Sequence, residues 1–205
     1  MKSLTVERFQ KDIANHGMAV HRDDGIYRHL AFRHKGEHSW NMWFEIVTWP
    51  NALTIRGDMG SWSFSRIEDM FRFFRSSEEL AINPSYWSEK CESVDWRTGP
   101  CKVFDADTFK ANIVSSLDNY DLEAEQRVVI LAALNDGVFR YDTEHEMRQE
   151  LDDFECGDFS FSNAWEISGR TFSYHFLWCL YAIVWGIQQY DAAKAGAPVN
   201  CEVRG

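Results

Sequence analysis

Apolar positions recur along this chain with several spacings, and each spacing predicts a different element. In residues 3–16, SLTVERFQKDIANH, Leu4, Phe9 and Ile13 fall on or near one side of a helix, with Ser3 as its cap and Gly17 as its stop. From Met18 to Ser65 the spacing shortens to the alternation of strands. HRDDGIYRH places Asp24 and Gly25 at a hairpin turn, and IYRHLAFRH alternates apolar with polar residues after it. WNMWFEIVTW is rich in aromatic and β-branched residues and is ended by Pro50 and Asn51. ALTIRG follows, and Asp58, Met59 and Gly60 turn the chain into SWSFS. The pattern predicts four to five antiparallel strands in meander order, with one face covered by helices.

The remainder reads as mostly helical. IEDMFRFFR, residues 67–75, has acids near its start and Arg75 at its end, as the helix dipole favours. PSYWSEKCESV opens a second helix with Pro84 at its first position. Residues 105–117 form a helix capped by Asp105, and residues 122–136 form another, stopped by Gly137. Helical signals run from Thr143 to Phe154, give way to a loop or short hairpin at CGDFSFSNAWEISG, and resume in residues 171–190. The summed expectation is one α+β domain over residues 1–205: an N-terminal helix and antiparallel β-meander, then a mostly helical C-terminal half, with possible lobes at 1–75 and 76–205.

Composition adds that this chain of 205 residues, 45% hydrophobic and 15% aromatic, can bury a substantial core without staples. Residues 171–190 hold no Asp, Glu, Lys or Arg and are long enough to span a bilayer. Ser173, His175, Gly186, Gln188 and Gln189, and a mean hydropathy of −0.41 for the chain, favour instead a buried central or oligomer-forming helix. Its Trp178, Tyr181 and Trp185 are the candidates for a homodimer contact. Five cysteines, an odd number with no CxxC pair, and no basic-then-apolar leader point to free thiols in a cytoplasm. Cys91 and Cys101 are the pair placed to bridge a loop.

Charge divides the chain more sharply than hydropathy does. Residues 1–75 hold 11 Lys+Arg against 9 Asp+Glu, and residues 76–205 hold 10 against 23. The run DTEHEMRQELDDFECGD, residues 142–158, carries eight acids and only Arg148 as a base. Such a run repels phosphate backbones and attracts basic partners. It also forgoes the i to i+4 ion pairs that support a purely structural helix, so its like charges cost stability. Glu144, Glu146, Glu150, Asp152, Asp153 and Glu155 are therefore the candidate partner-binding residues, presented to a basic groove on a host protein, with mimicry of phosphates as the sharpest form.

Catalytic and metal signatures are sparse. TEHEMRQE fails the HExxH pattern because position 149 is Gln149. His175 and Cys179 have i, i+4 ligand spacing, with Cys156 a third candidate, yet a zinc site needs four ligands and ordinary packing explains the pair. Asp58 and Gly57 in RGDMGSW are accounted for by turn geometry, and Ser61, Ser63 and Ser65 lack a nucleophile elbow. No phosphate-binding glycine loop occurs, so no cofactor is expected, and the reading is of a binder rather than an enzyme. Five histidines, His16, His21, His29, His34 and His38, lie in the front zone beside Arg22, Arg28, Arg33, Lys35 and Arg56, with Trp40, Trp43 and Trp62 as stacking surfaces. A nucleic-acid or nucleotide surface using Arg28, Arg33 and Arg56 is the alternative function.

LTVERFQKDIANHGMAVHRDDGIYRHLAFR, WFEIVTWPNALTIRGDMGSWSFSRIEDMFRFFR and INPSYWSEK resemble a group of uncharacterised accessory proteins of tailed phages and prophages of proteobacteria, over about residues 3–90. The resemblance implies a host-cell cytoplasmic protein that binds and inhibits a host factor, such as a nucleic-acid-handling defence complex, in the manner of an anti-CRISPR protein. It supplies no reaction, cofactor or catalytic residue.

Overall fold

The computed structural model describes residues 4–36, 40–196 and the backbone of 201–202, so Ser3, His38 and the side chain of Cys201 lie outside the described residues. The front elements are α1 (Val6–Ile13), β1 (His16–Asp24), β2 (Tyr27–His34), β3 (Phe44–Trp49), β4 (Ala52–Gly57), β5 (Gly60–Ser65), α2 (Met70–Phe74), α3 (Pro84–Ser88) and β6 (Cys91–Val94). After them come β7 (Lys102–Phe104), α4 (Ala106–Ser116), α5 (Ala124–Asp136), α6 (Glu144–Asp152), β8 (Glu155–Cys156), β9 (Phe159–Ser160), β10 (Arg170–Phe172), α7 (Tyr174–Lys194) and β11 (Cys201–Glu202). The fold is α+β, with an N-terminal helix, an antiparallel meander and a mostly helical second half. The chain divides into two compact units, residues 102–171 and the residues on either side of them. This division differs from lobes meeting at residue 75, because α7 joins the core of the sheet unit from far along the chain.

In the sheet unit, β1 to β6 run antiparallel in sequence order, and β11 adds parallel to the free side of β1. Turns fall where backbone-permissive residues stand: Gly25 has φ +61° and Asn51 has φ +67°. Gly57 is dictated by a close approach, since a Cβ there would lie 2.1 Å from the Trp43 carbonyl oxygen. Two expectations are corrected. The first helix starts from Thr5, whose hydroxyl accepts from the Arg8 amide, and ends before Gly17, because His16 and Gly17 already pair with His34 and Arg33 as strand. PSYWSEKCESV is helical only through Ser88; its tail is β6, which pairs Cys91 with Phe64 and Val94 with Trp62 and so makes a sixth meander strand.

One face of the sheet is apolar throughout. Leu30, Phe32, Phe44, Ile46, Leu53, Ile55, Trp62 and Phe64 are buried in a single cluster with α1, α2 and α7. Each such side chain contributes about 1.5–3 kcal/mol. α7 lies so close that a Cβ on Gly186 would meet Ile46 Cδ1 at 2.7 Å. Trp178 packs on Phe9 and Phe44, Tyr181 stacks on Phe9, and Trp185 meets Phe32 and Phe44. The rings considered for a homodimer contact thus close this core, and none of residues 171–193 is fully exposed. Among the described residues no helix is long and apolar enough to cross a membrane.

The helical unit has its own core of Phe109, Ile113, Leu117, Ile130, Leu134, Val138, Met147 and Leu151. Its helices begin where the sequence supplies caps. Asp105 accepts from the Thr108 amide at 2.9 Å, Glu123 and Gln126 form a capping box, and Thr143 accepts from the Glu146 amide. β8 and β9 form a short hairpin turning at Gly157, whose φ is +61°. Tyr120, Phe154, Phe159 and Phe161 pack edge to face behind it.

Candidate functional site

The acidic surface is built by α6 and the hairpin after it. Met147 and Leu151 turn one side of α6 into the core of the helical unit, which leaves Glu146, Glu150, Asp152 and Asp153 exposed, with Glu155 following on β8. No ion pair among the described residues involves any of these five acids. Glu144 behaves differently: it accepts from Arg148 at 3.2 Å and from Arg170 at 2.8 Å, so it ties α6 to β10 and is not part of the free surface. Asp152 and Asp153 close the C-terminal end of α6, where no base stands in the last turn. Both the helix dipole and mutual repulsion disfavour acids there. Across residues 102–171, 6 Lys+Arg face 16 Asp+Glu, a net −10 out of the chain's −11.

The open face of the sheet unit carries the other candidate residues. Arg28 does not belong to it: the side chain is buried at 8% exposure, donates to Asp69 at 2.8 and 3.2 Å and lies 4.4 Å over the Phe71 ring. It is thereby withheld from any phosphate. Arg33 and Arg56 do lie on the open face, but both turn to Glu45, at 3.6 and 3.0 Å. His29 lies 3.3 Å from the same carboxylate. Burial by itself would raise the pKa of Glu45, and Arg56 and His29 outweigh it and hold it below the ordinary carboxylate value. Arg33 also lies over Trp40 at 4.4 Å and Trp43 at 5.4 Å, and Arg56 over Trp43 at 5.6 Å. Trp40 is 64% exposed, whereas Trp62 faces the core and offers no stacking surface. Sequence reasoning missed Glu45, the residue that organises this face, although a lone acid inside the apolar strand WFEIVTW was the available signal.

The remaining candidates are dispersed or structural. His16 is buried beside His34, lies 3.0 Å from the Met42 carbonyl, and has its pKa lowered, chiefly by burial. The His21 and His29 rings lie 4.8 Å apart with their planes tilted, and Lys35 is exposed. Asp58 accepts from the Met42 amide at 3.0 Å and is a loop brace. Ser63 shares a 2.7 Å hydrogen bond with Thr54 across the sheet. Cys179 is fully buried, and its thiol is pushed up by that burial. Cys91 and Cys101 interact, and their hydrogen bond together with burial raises the Cys91 thiol. Among the described residues no group of three or more His, Cys, Asp or Glu side chains is arranged to hold a metal ion. A cleft of about 610 Å³ in the helical unit is lined by Ser115, Ser116, Asn119, Tyr120 and Ser162, with Asp118 already paired to Arg127. Comparison with family models, characterised proteins and solved structures returns no match for this chain.

Proposed function

We infer that this is a non-enzymatic binding protein whose helical unit offers an acidic surface to a basic groove on a partner protein. The observation that carries the reading is the concentration of −10 in 70 residues, with the acids of α6 and β8 exposed and without counter-charges. A helix under selection for stability alone would place bases in its last turn; departures from local rules collect at functional sites. Glu146, Glu150, Asp152, Asp153 and Glu155 form the contact set. The resemblance of residues 3–90 to phage accessory proteins suggests the partner: a nucleic-acid-handling host factor, such as a defence complex, whose basic groove the acids enter by imitating phosphates.

The test is affinity capture from a nuclease-treated proteobacterial lysate, with the wild type beside a Glu150→Gln, Asp152→Asn, Asp153→Asn, Glu155→Gln variant. A stoichiometric protein retained by the wild type, released by salt and lost with the variant supports the reading. Equal capture by both removes the acidic surface from it.

The Trp40–Trp43 pair beside Arg33 and Arg56 favours a second reading, a single-strand or nucleotide platform on the open sheet face. It predicts low-salt binding of oligonucleotides that is lost on changing Arg33 and Arg56 together. No band shift at low salt sinks it.

A further inference from the structure

α5 is apolar around its circumference, in the run VVILAAL, yet it buries only Ile130 and Leu134. Val128 and Val129 stand at 67% and 59% exposure. Beside Val129 a cleft of about 470 Å³ opens between α5 and the β8–β9 turn. Its floor is the buried Ile130 with the half-buried Leu122 and Phe159, Val129 adds an exposed apolar wall, and its rim carries the exposed Asp121, Glu125 and Asp158. None of these three carboxylates enters an ion pair among the described residues. Exposed aliphatic side chains next to a cleft mark an interaction surface, and an apolar pocket inside a polar rim is the arrangement that anchors a partner.

We propose that this cleft is the anchor of the acidic surface: it takes one Leu or Phe side chain of a basic peptide segment, while flanking Lys or Arg residues lie along Asp121, Glu125 and Asp158. The inference rests on the acidic docking reading and adds the apolar determinant of the partner. Charge decides the occupant. A second copy would bring another unit of net −10 against the first, and an anionic lipid surface would be repelled in the same way. A segment alternating bases with an apolar residue satisfies the floor and the rim together. Cys156, half-buried in the lining, is a built-in reporter of occupancy.

The experiment uses the full chain and two fluorescein-labelled 12-residue peptides of Lys and Arg, one with a central Leu and the other with Ala in its place. Polarisation at low salt gives the affinities, and iodoacetamide labelling followed by mass spectrometry gives the rate at Cys156. The Leu peptide is expected to bind about ten-fold more tightly than the Ala peptide, as one apolar side chain in a fitting pocket allows, and to slow alkylation of Cys156 more than the Ala peptide does. Val129→Asp, an exposed position whose folding is checked by circular dichroism, is expected to abolish the ten-fold difference and leave Ala-peptide binding intact. Val128→Asp, outside the cleft lining, is expected to preserve the difference. Equal affinities for the two peptides, or unchanged Cys156 labelling, overturn the anchor and leave the acidic surface standing. Absence of binding by either peptide overturns both. A dimer seen by light scattering and dissolved by Val129→Asp overturns the peptide occupant in favour of a second copy.

Discussion

Asp69 caps a short helix and Glu150 lies within one, and the two units treat these acids in opposite ways. In the sheet unit Asp69 caps α2 through the Phe71 amide and holds Arg28 with two hydrogen bonds, while Glu45 gathers His29, Arg33 and Arg56. Asp23 likewise takes a hydrogen bond from Tyr190 and an ion pair with Lys194. In the helical unit Glu150, Asp152, Asp153 and Glu155 face solvent with no base beside them. The same chemical group is structural cement at Asp69, Glu45 and Asp23 and unneutralised surface at Glu150, Asp152, Asp153 and Glu155. A net charge for the whole chain therefore says little about where charge is available to a partner.

The largest effect that sharpens this contrast is on Asp69. Asp69→Ala leaves the Arg28 guanidinium buried without its counter-ion and should cost about 3–5 kcal/mol in denaturant unfolding. Glu45→Gln should cost less, about 1–3 kcal/mol, because Arg33 and Arg56 retain partial access to water. The pH dependence is a further test. In Asp69, as in Glu45, burial would raise the pKa, but Arg28 and the Phe71 amide outweigh it and hold the group below its unfolded value. That contribution is complete above the ordinary carboxylate range and is lost as pH falls through the lower folded values. His16, also held low, adds a loss that begins below the ordinary histidine value, near 6.5, and ends at its depressed folded value. Tryptophan-monitored urea midpoints at pH 7, 5 and about 2.5 should thus fall in two stages, and His16→Gln should remove the first. The smallest effect belongs to the acidic surface: neutralising Glu150, Asp152, Asp153 and Glu155 should leave stability within about 0.5 kcal/mol per site, or raise it at low salt. A loss there comparable to that of Asp69→Ala would break the contrast and make those acids structural.

Local chemistry was legible in the sequence. Asp24–Gly25 and Pro50–Asn51 marked hairpins, Asp105 and Gly137 marked helix ends, and the acidic run marked a surface that the structure leaves exposed apart from Glu144. What escaped were features decided by distant partners. CESV became a strand because the edge of β5 was open to it, not because of its own propensity. Arg28 looked like a surface base until Asp69 and Phe71 arrived from another element. Glu144 looked like its neighbours until Arg170 claimed it. The cleft beside α5 needs the β8–β9 turn, and no spacing within α5 announces it.

The insertion of 70 residues between Cys101 and Phe172 also sets an order of events during synthesis. When the meander has left the ribosome, the helix that covers its apolar face has not yet been translated; Asp12 waits for a hydrogen bond from Trp178, 166 positions later. The helical unit, whose core residues all lie between residues 102 and 171, has the sequence for that core available first. A newborn chain therefore passes through a stage in which one unit can be finished while the other still shows Phe32, Phe44 and Trp62 to its surroundings. Truncation just before α7 should yield a product that is captured by chaperones rather than one that is merely less stable.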